Sequence, residues 1–400
     1  MNILKKLYCR TFQISFRLIM PILPYRKPET IGSVKKLPAL IKKNGCNRIL
    51  IVTDECVVKL GLTKRLEKAL SQNNIKYFIY DKTVANPTTK NVEDALHLYR
   101  INNCDGIIGF GGGSNMDCAK VLAARVTKPE QSISEMKGVL KIHKKLPLLI
   151  AIPTTAGTGS EATLAAVIVD SETRHKYAIN DFSLIPKYAV LDPKNTVTLP
   201  PSITATTGMD ALTHAVEAFI GRSTTKQTRK QAFLATKLIF ENIDTAYNDG
   251  SNIEARQNML KAAYYAGCAF TKSYVGYIHA VSHSLSGEYN IAHGLANAII
   301  LPYVLDSYGE TIYTKLRVLA IAAGLATKET PVDEAARAFI KAIKEMNKRF
   351  NIPDQINEII EDDIPRLAKL ADKEANPLYP VPKLMNAKEL RQFYYKVMEK

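Results

Sequence analysis

The feature that most limits the fold of this chain is a set of four histidines and one aspartate in its second half. Asp210 and His214 are four positions apart in GMDALTHAVEAF, and His279 and His283 are four apart in GYIHAVSHSL. Residues at this spacing share one face of an α-helix. His293 follows across SGEYN, a Gly- and Asn-containing stretch that favours a turn between helices. The spacing predicts helices whose faces converge.

One carboxylate and several imidazoles on converging helices are typical of a site for a divalent cation. The segment around Asp210 and His214 is otherwise apolar, so both side chains are expected to be buried, and burial without a partner is costly. The alternative is that each histidine is an ordinary core or surface residue and that the Asp/His pair is only a weak local contact. We favour the metal site.

Composition places the chain among soluble globular proteins. Its 400 residues allow two domains, and 46% are hydrophobic and 23% charged. No apolar run approaches the ~20 residues that a spanning helix needs. The six cysteines are scattered without a CxxC pair, which argues against disulfides or a thiolate zinc site and predicts a cytoplasmic location.

The net charge of +16 is concentrated at the N-terminus, where residues 1–50 hold eleven Lys/Arg and one Glu. No nucleic-acid-binding motif accompanies the charge, so nucleic acid is not an expected partner. The segment LKKLYCRTFQISFRLIMPILP mixes basic and apolar residues, and it could be a membrane-surface helix or a poor signal sequence. Arg10 and Arg17 interrupt the apolar region, which disfavours a signal sequence. We favour an amphipathic helix packed on the body of the protein or on a neighbouring subunit.

The first half of the chain alternates strand and helix patterns. A helical segment at 89–103 lies among five short apolar runs, which we predict to be strands at 48–54, 76–81, 105–110, 147–152 and 188–192. Near-continuous apolar strands separated by helices predict a parallel sheet covered on both faces, with ligands bound beyond the carboxyl ends of the strands.

Glycine- and hydroxyl-rich loops follow two of these strands. In GFGGGSNMDCAK, the three consecutive glycines permit close backbone approach, and Ser114 stands at a predicted helix N-terminus that attracts phosphate. In IPTTAGTGSEAT, the hydroxyls of Thr154, Thr155, Thr158 and Ser160 suit hydrogen bonds to phosphate, ribose or an amide. Either loop could instead be an ordinary tight or solvated turn. Asp54 is placed to accept from a ribose or adenine group, or to cap a helix over 55–70.

After Pro200-Pro201 only helical periodicity recurs, at 204–221, 226–247, 252–271, 310–324, 332–350 and 387–398. The change predicts an α/β domain over 26–200 and an all-helical domain over 201–400.

The motifs GGGSxxDxAK, PTTAGTGSE, GMDALTHAVEAF and HxxxHxxxxxxxxxH, in this order, resemble the iron-dependent (group III) alcohol dehydrogenase family over residues 28–400. The resemblance implies an N-terminal α/β dinucleotide-binding domain with a parallel sheet and an all-α C-terminal metal-binding domain. Residues 1–25 extend beyond the family core as a basic N-terminal extension. Tyr303 stands where many relatives carry histidine, and Asn115-Met116 replaces a more usual Pro-containing pair.

The resemblance also implies site residues. Asp210, His214, His279 and His293 match ligands of Fe²⁺, or of Zn²⁺ in some members. His283 matches a histidine beside the nicotinamide and substrate, where it either carries the proton or bonds to the cofactor ribose. Positions matching cofactor contacts are Asn86, Gly112, Gly113, Ser114, Asp117, Thr154, Thr155, Thr158 and Lys176. Asp54 matches the carboxylate that favours NAD over NADP, although NADP is not excluded.

The resemblance predicts a metal-dependent oxidoreductase that transfers hydride between NAD(H) and a small primary alcohol or aldehyde. Three histidines and one carboxylate favour Fe²⁺, since catalytic zinc usually keeps three protein ligands. The alternatives are a glycerol- or propanediol-type polyol dehydrogenase, a dehydroquinate-synthase-like lyase, which the ligand set disfavours, and, more remotely, a protein associated with a membrane surface or nucleic acid through its basic N-terminus. A homo-oligomer, most simply a homodimer, is expected.

Overall fold

A computed structural model describes residues 1–399. The α-helices are α1 Ile3–Ile19, α2 Leu37–Lys43, α3 Glu55–Lys59, α4 Lys64–Ser71, α5 Thr89–Ile101, α6 Gly113–Thr127, α7 Pro201–Ile220, α8 Lys226–Asn248, α9 Ile253–Ser273, α10 Tyr277–Tyr289, α11 His293–Tyr308, α12 Glu310–Ala322, α13 Val332–Arg349, α14 Ile364–Ala375 and α15 Ala387–Val397. The strands are β1 Glu29–Ile31, β2 Arg48–Val52, β3 Lys76–Tyr80, β4 Gly106–Gly111, β5 Gly138–Val139, β6 Leu148–Pro153, β7 Ala165–Val169, β8 Lys176–Asn180 and β9 Tyr188–Val190.

The chain forms two compact units, Pro24–Leu199 and Met1–Leu23 with Pro200–Lys400. The first, the α/β unit, contains a six-stranded sheet in the order β1-β9-β6-β4-β2-β3. Every neighbouring pair is parallel, which confirms the predicted parallel sheet. Leu50 packs into a core on one face of β2, while Ile49 and Ile51 pack into a second core on the other. Because both faces are covered, the strands read as continuous apolar runs.

A small second sheet was not predicted from the sequence. It has the order β5-β8-β7, and β7 pairs antiparallel with β8. Its strands are short and only alternately buried, so they lack the continuous apolar pattern of the main sheet. The predicted helix over 55–70 is also wrong as one element, because Gly61, at φ +68, separates α3 from α4.

The second unit is helical, and all six predicted helical segments are confirmed within a few residues as α7, α8, α9, α12, α13 and α15. The turn predicted across SGEYN is wrong for its first four residues, since α10 continues to Tyr289. Asn290 then adopts a left-handed conformation at φ 56, and α11 begins at His293. Because Asn tolerates this conformation, the turn needs only three residues.

The N-terminal helix α1 belongs to the helical unit rather than forming a separate part. The Arg10 guanidinium donates to the carbonyl oxygens of Val381 and Pro382, each at 2.8 Å. The buried Gln13 amide donates to the carbonyl oxygen of Tyr379 at 2.8 Å. These bonds fix one face of α1 to the segment that follows α14. Among the described helices, none is long and apolar enough to cross a membrane.

Candidate active site

Four side chains of the helical unit converge on one point. Asp210 and His214 project from α7, His279 from α10 and His293 from the first residue of α11. One donor atom from each lies within 4.8 Å of the others. Gly294 lets the start of α11 approach α7, since a Cβ there would lie 2.4 Å from the carbonyl oxygen of Thr206. The structure therefore brings together the four residues singled out from the sequence.

The spacing fits one cation after small side-chain rotations. Donor atoms around an ion with bonds of about 2.1 Å lie roughly 3–4 Å apart. Oδ1 of Asp210 and Nε2 of His293 are already 3.4 Å apart, and the largest separation within the cluster is at most 4.8 Å. Burial, followed by the neighbouring imidazoles, holds the pKa of His279 well below its ordinary value. His279 is therefore neutral, the form that binds a metal. One hard carboxylate with three imidazoles suits Fe²⁺ or Zn²⁺ better than Mg²⁺ or Ca²⁺.

Asn297, one turn after His293 on α11, points its amide nitrogen into this cluster. The nitrogen lies 2.7 Å from Oδ1 of Asp210, 3.2 Å from Nε2 of His279 and 3.1 Å from Nε2 of His293. Within the described residues, its buried Oδ1 has no hydrogen-bond partner. The NH₂ group of Asn297, whose hydrogens are partly positive, thus lies where three acceptor atoms converge. Converging acceptor atoms are also what a bound cation requires.

Glu217 orients His279 from behind. Its Oε2 lies 2.6 Å from Nδ1 of His279, and its carboxylate accepts from the backbone N–H groups of Gly276 and Ile278 at 2.8 and 2.9 Å. A Cβ on Gly276 would lie 2.7 Å from Glu217, so this approach requires glycine. Burial raises the pKa of Glu217, and the backbone N–H groups of Gly276 and Ile278 oppose this rise by stabilising the carboxylate. With Glu217 accepting from Nδ1–H, the Nε2 lone pair of His279 faces the cluster.

His283 lies beside the cluster and is partly exposed. Its ring stacks on His293 with centroids 5.0 Å apart. Its Nδ1 lies 2.7 Å from Oε1 of Glu374 on α14, and the hydroxyl of Tyr379 donates to the same oxygen at 2.7 Å. The nearby His283, and the hydrogen bonds from it and Tyr379, outweigh burial and lower the pKa of Glu374. A carboxylate that accepts from Nδ1–H leaves Nε2 of His283 available for proton exchange.

In the α/β unit, the triple-glycine loop joins β4 to α6. Gly111 has φ +145, and a Cβ there would overlap the Asn115 side chain, so glycine is required. Gly112 precedes α6 without a side-chain cap, and a Cβ on Gly112 would meet nothing closer than 3.9 Å. Ser114 is the second residue of the helix. The uncapped N-terminus and the open space at Gly112 fit a phosphate group.

The segment at 154–160, here called the threonine loop, lies against the start of α6. The N–H of Thr154 donates to the carbonyl oxygen of Gly111 at 3.0 Å. The buried Oγ1 of Thr155 has no partner among the described residues, and the Thr155 methyl is the atom nearest to a Cβ on Gly112. A Cβ on Gly113 would lie 3.0 Å from the methyl group of Thr158. A buried hydroxyl without a partner, beside an open glycine, fits a dinucleotide that supplies the missing hydrogen bond.

The structure places other predicted cofactor residues in internal contacts. Asp54 caps α3 by accepting from the N–H of Val57 at 2.9 Å, and its other oxygen accepts from the Asn115 amide at 2.5 Å. Asn86 accepts from the Lys176 ammonium at 2.7 Å. Asp54 therefore has the predicted helix-capping role. This role does not exclude the other predicted role, a hydrogen bond with the cofactor ribose.

Asp117 also faces inward. Its carboxylate accepts from the Ser160 hydroxyl at 2.8 Å and from the N–H of Val167 at 3.0 Å. Lys120, one turn later, donates to Ser160 at 2.9 Å and to the carbonyl oxygen of Ala165 at 2.8 Å. Asp117 and Lys120 therefore join α6 to the end of the threonine loop and to β7. These bonds fix the triple-glycine loop and the threonine loop relative to each other.

Sequence reasoning missed three polar side chains around the metal-type cluster. Glu217 lies three residues after His214 and Asn297 four after His293, so helical spacing could have identified both. Glu374 reaches His283 from a separate helix, and no local pattern marks it. Tyr303, noted as a departure from the family, directs its hydroxyl to the carbonyl oxygen of Asp354 at 3.4 Å.

Comparisons with known proteins agree with this geometry. Residues 29–193 match the family described as iron-containing alcohol dehydrogenase, and residues 204–398 match the C-terminal part described for the same family. Alcohol dehydrogenase 4 of Saccharomyces cerevisiae is 36% identical over 328 residues, 82% of this chain and 85% of that protein. NAD-dependent methanol dehydrogenase of Bacillus methanolicus is 36% identical over 344 residues, covering 85% and 90%. A crystal structure of 1,3-propanediol oxidoreductase superposes with a TM-score of 0.90 at 32% identity, covering 93% of this chain and 99% of that chain.

Proposed function

The chain belongs to the iron-containing alcohol dehydrogenase family, and we propose that it interconverts small primary alcohols and aldehydes with NAD(H), using Fe²⁺ held by Asp210, His214, His279 and His293. The observation that carries this proposal is the convergence of those four donors. When bound, the ion would act as a Lewis acid on the substrate oxygen, and the nicotinamide would exchange hydride with the substrate carbon.

The protein's own residues would align the site and move the proton. Glu217 fixes the ring of His279, and Phe270 stacks on His214 with centroids 4.1 Å apart, so both imidazoles are held in place. His283 is the proposed proton carrier between the substrate oxygen and solvent, because it lies beside the cluster and remains partly exposed. Glu374 keeps that ring oriented through Nδ1.

For the cofactor we propose that the N-terminus of α6, with Gly112, Gly113 and Ser114, receives the pyrophosphate. Thr154, Thr155 and Thr158 border the same loop, Thr155 with a buried hydroxyl that has no partner in the described chain. Asp54 would favour NAD over NADP, since its carboxylate repels a 2′-phosphate. Asn86, Lys176 and Asp117 are proposed to support this site through their internal hydrogen bonds.

A polyol dehydrogenase is the second candidate, favoured by the match to 1,3-propanediol oxidoreductase. The two candidate functions are distinguished by measuring turnover with a panel of substrates. The panel contains alcohols and aldehydes of one to four carbons and propanediols, each tested with NAD(H) and NADP(H). We expect primary alcohols or aldehydes with NAD(H) to give the highest kcat/KM. A clear preference for diols would favour the second candidate.

The metal requirement is tested on anaerobically purified protein. We expect chelation to abolish turnover, ferrous ion to restore it, and metal analysis to find about one ion per chain. His279→Ala should lose the ion, whereas the matched control His97→Ala, at an exposed position in the α/β unit, should keep it. Full activity in metal-free protein would overturn the proposal.

The free state of all six cysteines supports a proposed reducing, cytoplasmic environment. The homodimer stays a prediction, to be measured by sedimentation velocity.

A further inference from the structure

The outward face of α1 is the largest concentration of exposed apolar side chains in the described chain. Twenty large hydrophobic residues are exposed among the described residues, and nine of them lie between Ile3 and Ile22. Six of these nine are at least 60% exposed: Ile3 at 82%, Leu4 at 78%, Leu7 at 63%, Tyr8 at 60%, Leu18 at 74% and Ile22 at 81%. Solitary exposed apolar residues are normal, but a contiguous set on one element marks an interaction surface.

This face follows from helical geometry. Ile3, Leu7, Ile14 and Leu18 recur at intervals of four and seven, so they form one stripe along the helix. The opposite side contains the buried Cys9, Gln13 and Met20, which pack on the helical unit. The amphipathic helix expected from the sequence therefore does pack on the body of the protein, but with its wider apolar face turned outward.

Charge identifies what this face would contact. Helix α1 contains Lys5, Lys6, Arg10 and Arg17, and the first acidic residue of the chain is Glu29. Lys5 pairs with Asp372 and Arg10 binds backbone carbonyls, whereas the exposed Lys6 and Arg17 lie at the edge of the apolar stripe. An apolar stripe bordered by cations is complementary to a bilayer with anionic headgroups.

A second copy of the chain is a poorer match. A two-fold contact through this face would bring two sets of basic residues together, with no acid on the helix to pair with them. A stable interface also takes about 20–30 residues from each side, whereas the short segment from Ile3 to Ile22 exposes only nine large apolar side chains.

We propose that the outward face of α1 docks on an anionic lipid bilayer, with the helix lying in the plane of the interface and the folded body on its other side. Seventeen residues with four cations suit this orientation better than a membrane span. The proposal does not depend on the proposed activity.

The test uses the full-length protein in flotation with phosphatidylcholine vesicles, with and without phosphatidylglycerol. We expect binding to the anionic vesicles and at least about tenfold weaker binding to neutral ones. The triple substitution Leu4→Ser/Leu7→Ser/Leu18→Ser should weaken binding at least about tenfold, because three anchoring side chains no longer favour the apolar phase. Lys6→Gln/Arg17→Gln should weaken binding to anionic vesicles only.

The matched control replaces three exposed apolar residues elsewhere, Ile101→Ser/Ile360→Ser/Leu370→Ser, which are 59%, 58% and 48% exposed. It should bind vesicles as the wild type does, and all variants should keep wild-type dehydrogenase activity in solution. The proposal is overturned if the wild type fails to float, if the α1 triple variant still floats, or if the control is impaired equally. It is also overturned if the triple variant changes only the sedimentation coefficient, which would identify the face as a contact between copies.

Discussion

At the scale of single residues, two carboxylates that contact Nδ1 atoms determine the orientation of two imidazole rings at the site. Glu217 and Glu374 each approach the Nδ1 atom of one histidine, at 2.6 and 2.7 Å. A histidine whose Nδ1–H is held in this way presents Nε2 in a fixed direction. The two contacts serve different rings, His279 of the cluster and His283 beside it, so their removal should have separable effects.

Glu217→Gln should weaken metal binding about 10- to 100-fold, because the amide cannot accept from Nδ1–H and both backbone donors at once. Metal titration into the metal-free protein measures this directly. Glu241→Gln, on the exposed face of α8, is the control and should bind as the wild type does. Unchanged affinity in the Glu217 variant would show that His279 needs no support.

Glu374→Gln should lower kcat about tenfold while leaving metal content unchanged, because His283 loses a charged acceptor but the four donors of the cluster stay in place. Tyr379→Phe, which removes the second hydrogen bond to Glu374, should have a smaller effect in the same direction. Loss of the ion from the Glu374 variant would contradict the separation of the two carboxylates.

Glu161 predicts a pH dependence of stability in the α/β unit. Burial raises its pKa to about 7, and its Oε1 has no partner in the described residues. Between the ordinary value of 4.5 and about 7 the folded state binds more protons than the unfolded state, so the free energy of unfolding falls as pH rises. Thermal unfolding of the wild type should show this slope, and Glu161→Gln should flatten it.

Lys120 contributes at higher pH. Burial lowers its pKa to about 8, so above that value the unfolded state binds more protons and stability rises towards the ordinary value of 10.5. The combined contribution of Glu161 and Lys120 to stability should therefore be smallest near pH 7–8. Identical pH profiles of thermal unfolding for the wild type and Glu161→Gln would contradict the assignment to Glu161.

At the scale of elements, α1 supports the segment that carries Tyr379. Gln13→Ala removes donors to the carbonyl oxygens of Pro377 and Tyr379, and leaves the buried Tyr379 carbonyl without this bond. We expect a loss of about 1–3 kcal/mol in the free energy of unfolding. Denaturant unfolding measures it, with Thr11→Ala, on the exposed face of the same helix, as a control that should change little.

At the scale of the whole molecule, the two candidate ligand sites belong to different units. Added Fe²⁺ should slow hydrogen exchange in α7, α10 and α11, because an ion at 100 times its Kd stabilises the state that binds it by about 2.7 kcal/mol. Added NAD⁺ should slow exchange in the turn between β4 and α6 and in the threonine loop. Metal-dependent protection centred on α6 would contradict the assignment.

Much of the fold was predictable because its signals are local. The five strands are continuous apolar runs, and the pairs Asp210/His214 and His279/His283 have a spacing of four residues, and the sequence shows both signals directly. The small sheet of β5, β7 and β8 was missed because short, half-exposed strands have no comparable pattern. The turn before His293 was placed too early because α10 includes the exposed Gly287, whose low helix propensity costs only about 1 kcal/mol.

By itself, the sequence indicated the parallel sheet through apolar runs and the helical second half through helical periodicity, since both signals lie along single elements, whereas the four donors of the metal-type cluster were implied by the family resemblance. Only the tertiary structure decided that Glu374 orients His283, that Asp117 and Lys120 tie α6 to the threonine loop, and that α1 turns its apolar stripe outward. Those facts join residues distant in sequence, or depend on which helical face finds a partner. Periodicity identifies an amphipathic face, but only packing determines whether that face is buried or exposed.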